Sequence, residues 1–134
     1  MRQLAFILLT TLTLGLSNMV LAWENTPSAS ESGKIVVYRE KSRIAASFMV
    51  YANADALGRV KQGRAIAAQL PAGTYTISTN VSGSETLEVV IKAGETLYID
   101  SDIVKANGGK YQTVLNPVTE QVALTSVSSV SDVI

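Results

Sequence analysis

Hydrophobic and polar positions alternate most clearly between Leu70 and Asp100. Tyr75, Ile77, Thr79 and Val81 fall on one face of an extended backbone, and Thr74, Thr76, Ser78 and Asn80 fall on the other. That period of two marks a strand with one buried face. Leu87, Val89 and Ile91 repeat the pattern against Thr86, Glu88 and Lys92, and Leu97 and Ile99 repeat it against Thr96, Tyr98 and Asp100. Pro71-Ala72-Gly73 turns the chain into the first of these strands, because proline fixes φ and glycine accepts positive φ. Ser82-Gly83-Ser84 and Ala93-Gly94-Glu95 join the three. Connections this short favour antiparallel neighbours, since a parallel crossover needs about a dozen residues or more. The stretch therefore predicts a three-stranded meander with one face on a core.

The flanking sequence extends the same architecture. Lys34 to Arg39 is apolar on both faces, which predicts a central strand. Ala45 to Ala52 reads as the next strand, Asn53-Ala54-Asp55 as a turn, and Ala56 to Lys61 as a short strand closed by Gln62-Gly63. Ala65 to Leu70 has helical propensity but is too short for an independent helix and sits between turn signals, so a strand is expected. Beyond the meander, Ile103-Val104 leads to Asn107-Gly108-Gly109, a hairpin signal, with Tyr111 to Leu115 returning until Asn116-Pro117 stops it. Thr119 to Leu124 predicts a short C-terminal helix capped by Thr119. The expected fold is all-β, a small and mostly antiparallel β-sandwich of about seven to eight strands.

The first residues change the setting. Arg2 precedes an apolar run from Leu4 to Leu16, and Val20-Leu21-Ala22 offers small residues where a signal peptidase reads. The run is short for a membrane span of about 20 residues, so 1–22 reads as a cleaved signal peptide that leaves no stable span. Residues 23–33, with Trp23, then form a flexible leader, 34–124 the sandwich domain, and the Ser/Val-rich 125–134 a frayed tail. Export to the periplasm or cell envelope is expected. The chain has no cysteine, so no disulfide supports it there.

Composition removes several chemistries. Histidine and cysteine are both absent, which excludes Ser-His-Asp and Cys-His catalysis, thiol redox work and the usual zinc and haem ligands. No cofactor is expected. Asp100 and Asp102 stand two apart at an expected strand end, a pair that calcium or acid–base chemistry could use, but no calcium loop surrounds them. Gly58 to Arg64 has the spacing of a phosphate-binding loop and ends in Arg64-Ala65 where Lys-Ser/Thr is needed. Eleven basic and eleven acidic residues give no whole-molecule attraction to nucleic acid or membrane. The local pattern is different. Arg39, Lys41 and Arg43 alternate, as do Arg59 and Lys61, with Arg64 nearby. Paired strands would gather these six into a positive patch suited to an anionic group, although edge-strand charge also serves to prevent aggregation. The expected function is a non-enzymatic binding or accessory module of the envelope, its partner a protein or an anionic surface glycan. The alternative is a structural assembly subunit that adds a strand at an open sheet edge, with Val118 to Leu124 as a segment donated to a neighbour.

The order of these motifs resembles a bacterial envelope family catalogued as domain of unknown function 2846. The resemblance covers Gly33 to about Leu124 and rests on Val36-Val37-Tyr38-Arg39, Val50-Tyr51 with Gly58, Pro71-Ala72-Gly73-Thr74-Tyr75, and Ala93-Gly94-Glu95-Thr96-Leu97-Tyr98. Asn53-Ala54-Asp55 stands where the family pattern has Asp-Gly, and Leu97 where it has an aromatic. The resemblance shades into PEGA-like and carboxypeptidase-regulatory modules. It implies an exported β-sandwich and brings no catalytic residues.

Overall fold

The computed structural model describes residues 31–134. The expected signal peptide and the leader as far as Ser30, Trp23 included, lie outside the described residues. Eight strands follow in order: β1 (Ser32–Arg39), β2 (Phe48–Ala52), β3 (Asp55–Val60), β4 (Arg64–Pro71), β5 (Gly73–Thr79), β6 (Leu87–Ile91), β7 (Thr96–Lys105) and β8 (Tyr111–Val118). Two short helices, α1 (Glu120–Ser126) and α2 (Ser129–Val133), close the chain. The strands form two four-stranded sheets, ordered β4-β1-β7-β8 and β3-β2-β5-β6. All neighbours are antiparallel except β1 and β7. The expected small, mostly antiparallel β-sandwich is the observed fold.

Two apolar layers hold it. Between the sheets lie Ile35, Val37, Phe48, Val50, Ile77, Val89, Ile91, Ile99 and Ile103. On the outer face of the first sheet, Val36, Tyr38 and Tyr98 pack against Ala123, Val127 and Val130 of the C-terminal helices. β1 is therefore buried on both faces, which accounts for its unbroken apolar run. The alternations of β5 and β6 hold as well: Ile77, Val89 and Ile91 are buried, while Thr76, Glu88 and Val90 are exposed.

Several sequence expectations need correction. The meander fails at its second turn, because β6 and β7 belong to different sheets. Residues 92–95 carry the chain across the sandwich and dock on the start of β1, where Lys34 N–H donates to the Glu95 carbonyl at 2.9 Å and Gly94 N–H to the Ser32 carbonyl at 2.9 Å. Gly33 permits this approach, since a Cβ there would strike the Lys92 carbonyl and come within 2.7 Å of Ile91 Cγ2. Ser32 and Gly33 thus belong to the sheet and not to a leader. Second, Asp100 and Asp102 lie within β7, which continues to Lys105, and not at a strand end. Third, Asn116-Pro117 does not stop β8. Pro117 pairs opposite Ile99 on the outermost strand, where a missing N–H can face away from the ladder. Fourth, the tail is not frayed: α2 buries Val130 completely, and Val127 before it is 8% exposed. α1 starts where expected, with the Thr119 hydroxyl accepting from Val122 N–H at 3.3 Å. Val118 to Leu124, expected as a donatable strand, is instead the end of β8 and most of α1.

The strand directions sort the connections into two ends. Residues 40–47, 61–63, 80–86 and 106–110 lie at one end; 53–54, Ala72, 92–95 and Thr119 lie at the other.

Candidate functional site

The basic residues collect at the first of these ends, and the structure divides them by role. Arg39 is not a surface residue: its relative exposure is 0%. It lies on the same face of β1 as Ile35 and Val37, inside the sandwich. Its Nε donates to Asp102 Oδ1 at 3.3 Å, Nη1 to the Ala46 carbonyl at 2.6 Å, and Nη2 to Ser42 Oγ at 2.9 Å and to the Ile44 carbonyl. The guanidinium carbon stands 5.9 Å from the centroid of the Phe48 ring. A planar cation with a fixed fork of donors can satisfy several acceptors at once, so Arg39 fixes the 40–47 loop. Its place in a contact patch is withdrawn.

Lys41, Arg43, Arg59, Lys61 and Arg64 are all exposed. The connections that carry them are tied together. Gly63 N–H donates to the Arg39 carbonyl at 2.7 Å, and Ser42 N–H to Gln62 Oε1 at 3.0 Å. Arg59 Nη1 donates to Ser47 Oγ at 3.1 Å. β3 and β4 do not pair, because the 61–63 turn passes from one sheet to the other; the two basic clusters meet across a corner and not along a ladder. Gly63 has φ +71°, and the stem of Lys41 lies over it, 3.2 Å from where a Cβ would stand. A cleft of about 320 Å³ opens beside them, lined by Glu40, Lys41, Gly63, Ser126, Val127 and Ser128. Ser129 Oγ donates to the Gly63 carbonyl at 3.2 Å and sets the helical wall of this cleft. Nothing in the sequence joined Ser126 to Ser129 with Lys41, because that contact is made across the whole fold.

Charge is segregated along the sandwich. Lys105 and Lys110 add to the same end, whose connections carry only Glu40 and Glu85 as acids. The opposite end and its flanks carry Glu31, Asp55, Glu95 and Glu120 against Lys34 and Lys92. A chain of zero formal net charge is thus polar in the electrical sense.

The acid pair divides as well. Asp102 is engaged by Arg39 and accepts Ile103 N–H at 2.8 Å. Burial pushes the Asp100 carboxyl above the usual aspartate range, and Glu40 and Asp102 push it further. Burial likewise raises the Tyr38 hydroxyl, offset by its hydrogen bond to Ser126 Oγ, and raises Tyr98. Among the described residues no three His, Cys, Asp or Glu side chains converge on a point where a metal ion could sit. Asn80, in the sequon-like Asn80-Val81-Ser82, accepts Met49 N–H at 3.0 Å through its side chain.

No family model matches the chain, and no curated protein does. Among solved structures, the N-terminal domain of AlgF from P. aeruginosa is similar at 24% identity and a TM-score of 0.40, over 65% of this chain and 95% of that one. No helix among the described residues is long and apolar enough to cross a membrane.

Proposed function

We propose that the chain is an exported, non-enzymatic accessory module of the periplasm or cell envelope, and that its cationic end binds an anionic surface glycan. One observation carries this reading: Lys41, Arg43, Arg59, Lys61 and Arg64, all exposed, are gathered at one end of a sandwich that is neutral as a whole. Concentrated charge raises the local density of counter-charged ligand, and arginine pairs two-pronged with carboxylate or sulfate. The loop is held in place by Arg39, so little ordering is needed on binding. Among the described residues the large exposed apolar side chains are Val90, Tyr111, Val122, Leu124 and Ile134, none of them in 40–47 or 59–64. A cationic surface without an apolar centre suits a polyanion better than a protein hot spot.

The test is binding of the purified exported chain to dextran sulfate, with neutral dextran as reference, across a salt series. Binding should weaken steeply with salt. Arg59→Ala with Lys61→Ala should weaken it roughly tenfold, since each exposed charge contact contributes up to about 1 kcal/mol. Equal affinity of variant and parent would reduce the cluster to a solvated edge. Capture of an acidic protein without any affinity for the polysaccharide would move the reading to a protein partner.

A further inference from the structure

The two sheets have four edge strands, and the structure treats them differently. β3 and β4 lie together at one side, with Ile66 of β4 against Gly58 of β3. On β8, Thr113 N–H donates to Ser84 Oγ at 2.7 Å, and Pro117 has no N–H to offer. Thr113 and Pro117 share the parity whose backbone points away from β7, so two outward donors of that edge are removed. This is how edges are protected against an added strand.

β6 carries no such protection among the described residues. Thr76 of β5 turns both its backbone groups toward β2: its N–H donates to Asn53 Oδ1 at 3.0 Å and its carbonyl accepts Asn53 N–H at 2.8 Å. Thr76 stands opposite Glu88, and Thr74 opposite Val90. In an antiparallel ladder these are then the pairs that do not exchange hydrogen bonds, so Glu88 and Val90 present their N–H and C=O groups at the open edge. Val90 is also 58% exposed, the highest value among the large apolar side chains of the described residues. Glu88 lies two residues before it and Lys92 two residues after. Both are exposed, and neither is in a salt bridge among the described residues.

We propose that β6 pairs antiparallel with β6 of a second copy of this chain, about a two-fold axis through Val90. The parity fits: Glu88 and Val90 have one orientation, so Val90 exchanges two hydrogen bonds with its copy, while Lys92, just past the end of β6, takes part through its side chain. The Lys92 carbonyl already accepts Glu95 N–H at 3.1 Å within its own turn. On the solvent face, Val90 meets Val90, and each Glu88 stands opposite a Lys92. Opposite charges directly across an antiparallel pair are favourable, and like charges are not. An isologous interface needs a self-complementary patch, and a central apolar residue flanked by one acid and one base at equal spacing is one. The result is one continuous eight-stranded sheet. The inference is independent of the anionic-ligand reading, since β6 is apart from the cationic cluster.

Sedimentation equilibrium of the processed full chain over a concentration series tests it. The parent should show a monomer–dimer equilibrium. Val90→Pro should abolish it, by about tenfold or more in the dissociation constant, because two of the shared hydrogen bonds go while the N–H lost makes no bond to β5. Glu88→Lys and Lys92→Glu should each weaken the dimer, and the two together should restore it. The chain has no cysteine, so Val90→Cys provides a second measurement: a bonded pair has Cα atoms about 5.5 Å apart, within disulfide range, and should cross-link rapidly. Thr76→Cys, exposed on the neighbouring strand, should not. A parent that stays monomeric, a dimer unaffected by the charge changes, or a double reversal no stronger than either single change would overturn the proposal, whether or not Val90→Pro folds.

Discussion

One side chain, Arg39, sets the geometry of the cationic end. Its cation is removed from water, which is costly unless every donor is used. Here the donors reach Asp102, Ala46, Ser42 and Ile44. Arg39→Ala should therefore destabilise the protein by about 3 kcal/mol, measured by urea unfolding, because two loop carbonyls and Asp102 lose their partner. Arg39→Lys should recover little, since an ammonium on a single stem cannot span four acceptors. In both variants trypsin should cleave after Lys41 and Arg43 faster than in the parent. Asp100 gives a pH-dependent counterpart. Its folded carboxyl is raised by burial and by Glu40 and Asp102, so the folded state holds that proton more tightly than the unfolded chain does. Stability from this group is present in acid and is lost as pH rises through the raised value. Asp100→Asn should therefore stabilise the protein at neutral pH, and the gain should vanish below about pH 4, where both states are protonated. Thermal unfolding of parent and variant across that range decides it. Arg39 was legible as basic but not as buried. Its parity with Ile35 and Val37 was the available signal, outweighed by its alternation with Lys41 and Arg43.

At the scale of elements, what the sequence shows is what local chemistry decides. The β7–β8 hairpin follows from Asn107-Gly108-Gly109, and the β2–β3 turn from Asn53, which takes φ +56°. Asn53 and Asn80 also extend the β2–β5 ladder at both ends with side-chain and backbone hydrogen bonds, where only three residue pairs are in register. The β6–β7 turn looked equally local, and its alternation is regular on both sides. Its partner, however, is the start of β1, some 60 residues earlier in the chain, and pairing at that range is a tertiary decision that alternation does not encode. The residue that permits it is Gly33, which the sequence offered only as the end of a leader. Gly33→Ala should destabilise by about 2–4 kcal/mol, because the added methyl meets backbone and not the tip of a movable side chain. Amide exchange should rise first at Lys34 and Gly94, whose N–H groups bind across this contact. Exchange that rises uniformly would instead mean that β1 and the 92–95 turn open only with the whole domain.

At the scale of the molecule, the described residues cover the sandwich on one side only. Val36, Tyr38 and Tyr98 on the outer face of the first sheet are closed off by Ala123, Val127 and Val130. The apolar positions of the tail, Val127, Val130 and Val133, recur every three residues. Set among serines, that spacing gave too weak a helical signal, and only the presence of an apolar sheet face turns it into α2. The end of α1 and its link to α2, Ser126 to Ser128, line the cleft beside Lys41, and Ser129 of α2 ties that link to Gly63, so packing and the candidate site share a wall. Val130 is wholly buried, and α2 is five residues long, too short to persist alone. Val130→Asn, polar but uncharged, should therefore unseat α2 and not merely strain it, at a cost of about 3 kcal/mol in urea unfolding. Tyr38 and Tyr98 supply a local readout. Their hydroxyls titrate above the usual tyrosine value chiefly because burial disfavours the phenolate, and exposing them should bring both down toward it. An ultraviolet titration should then show the Tyr38 and Tyr98 phenols ionising at lower pH than in the parent. Because Ser129 would no longer hold the Gly63 carbonyl, affinity for dextran sulfate should fall as well, although no charge in the cationic cluster has changed. Undiminished affinity alongside exposed tyrosines would show that Arg39 alone suffices to shape that surface.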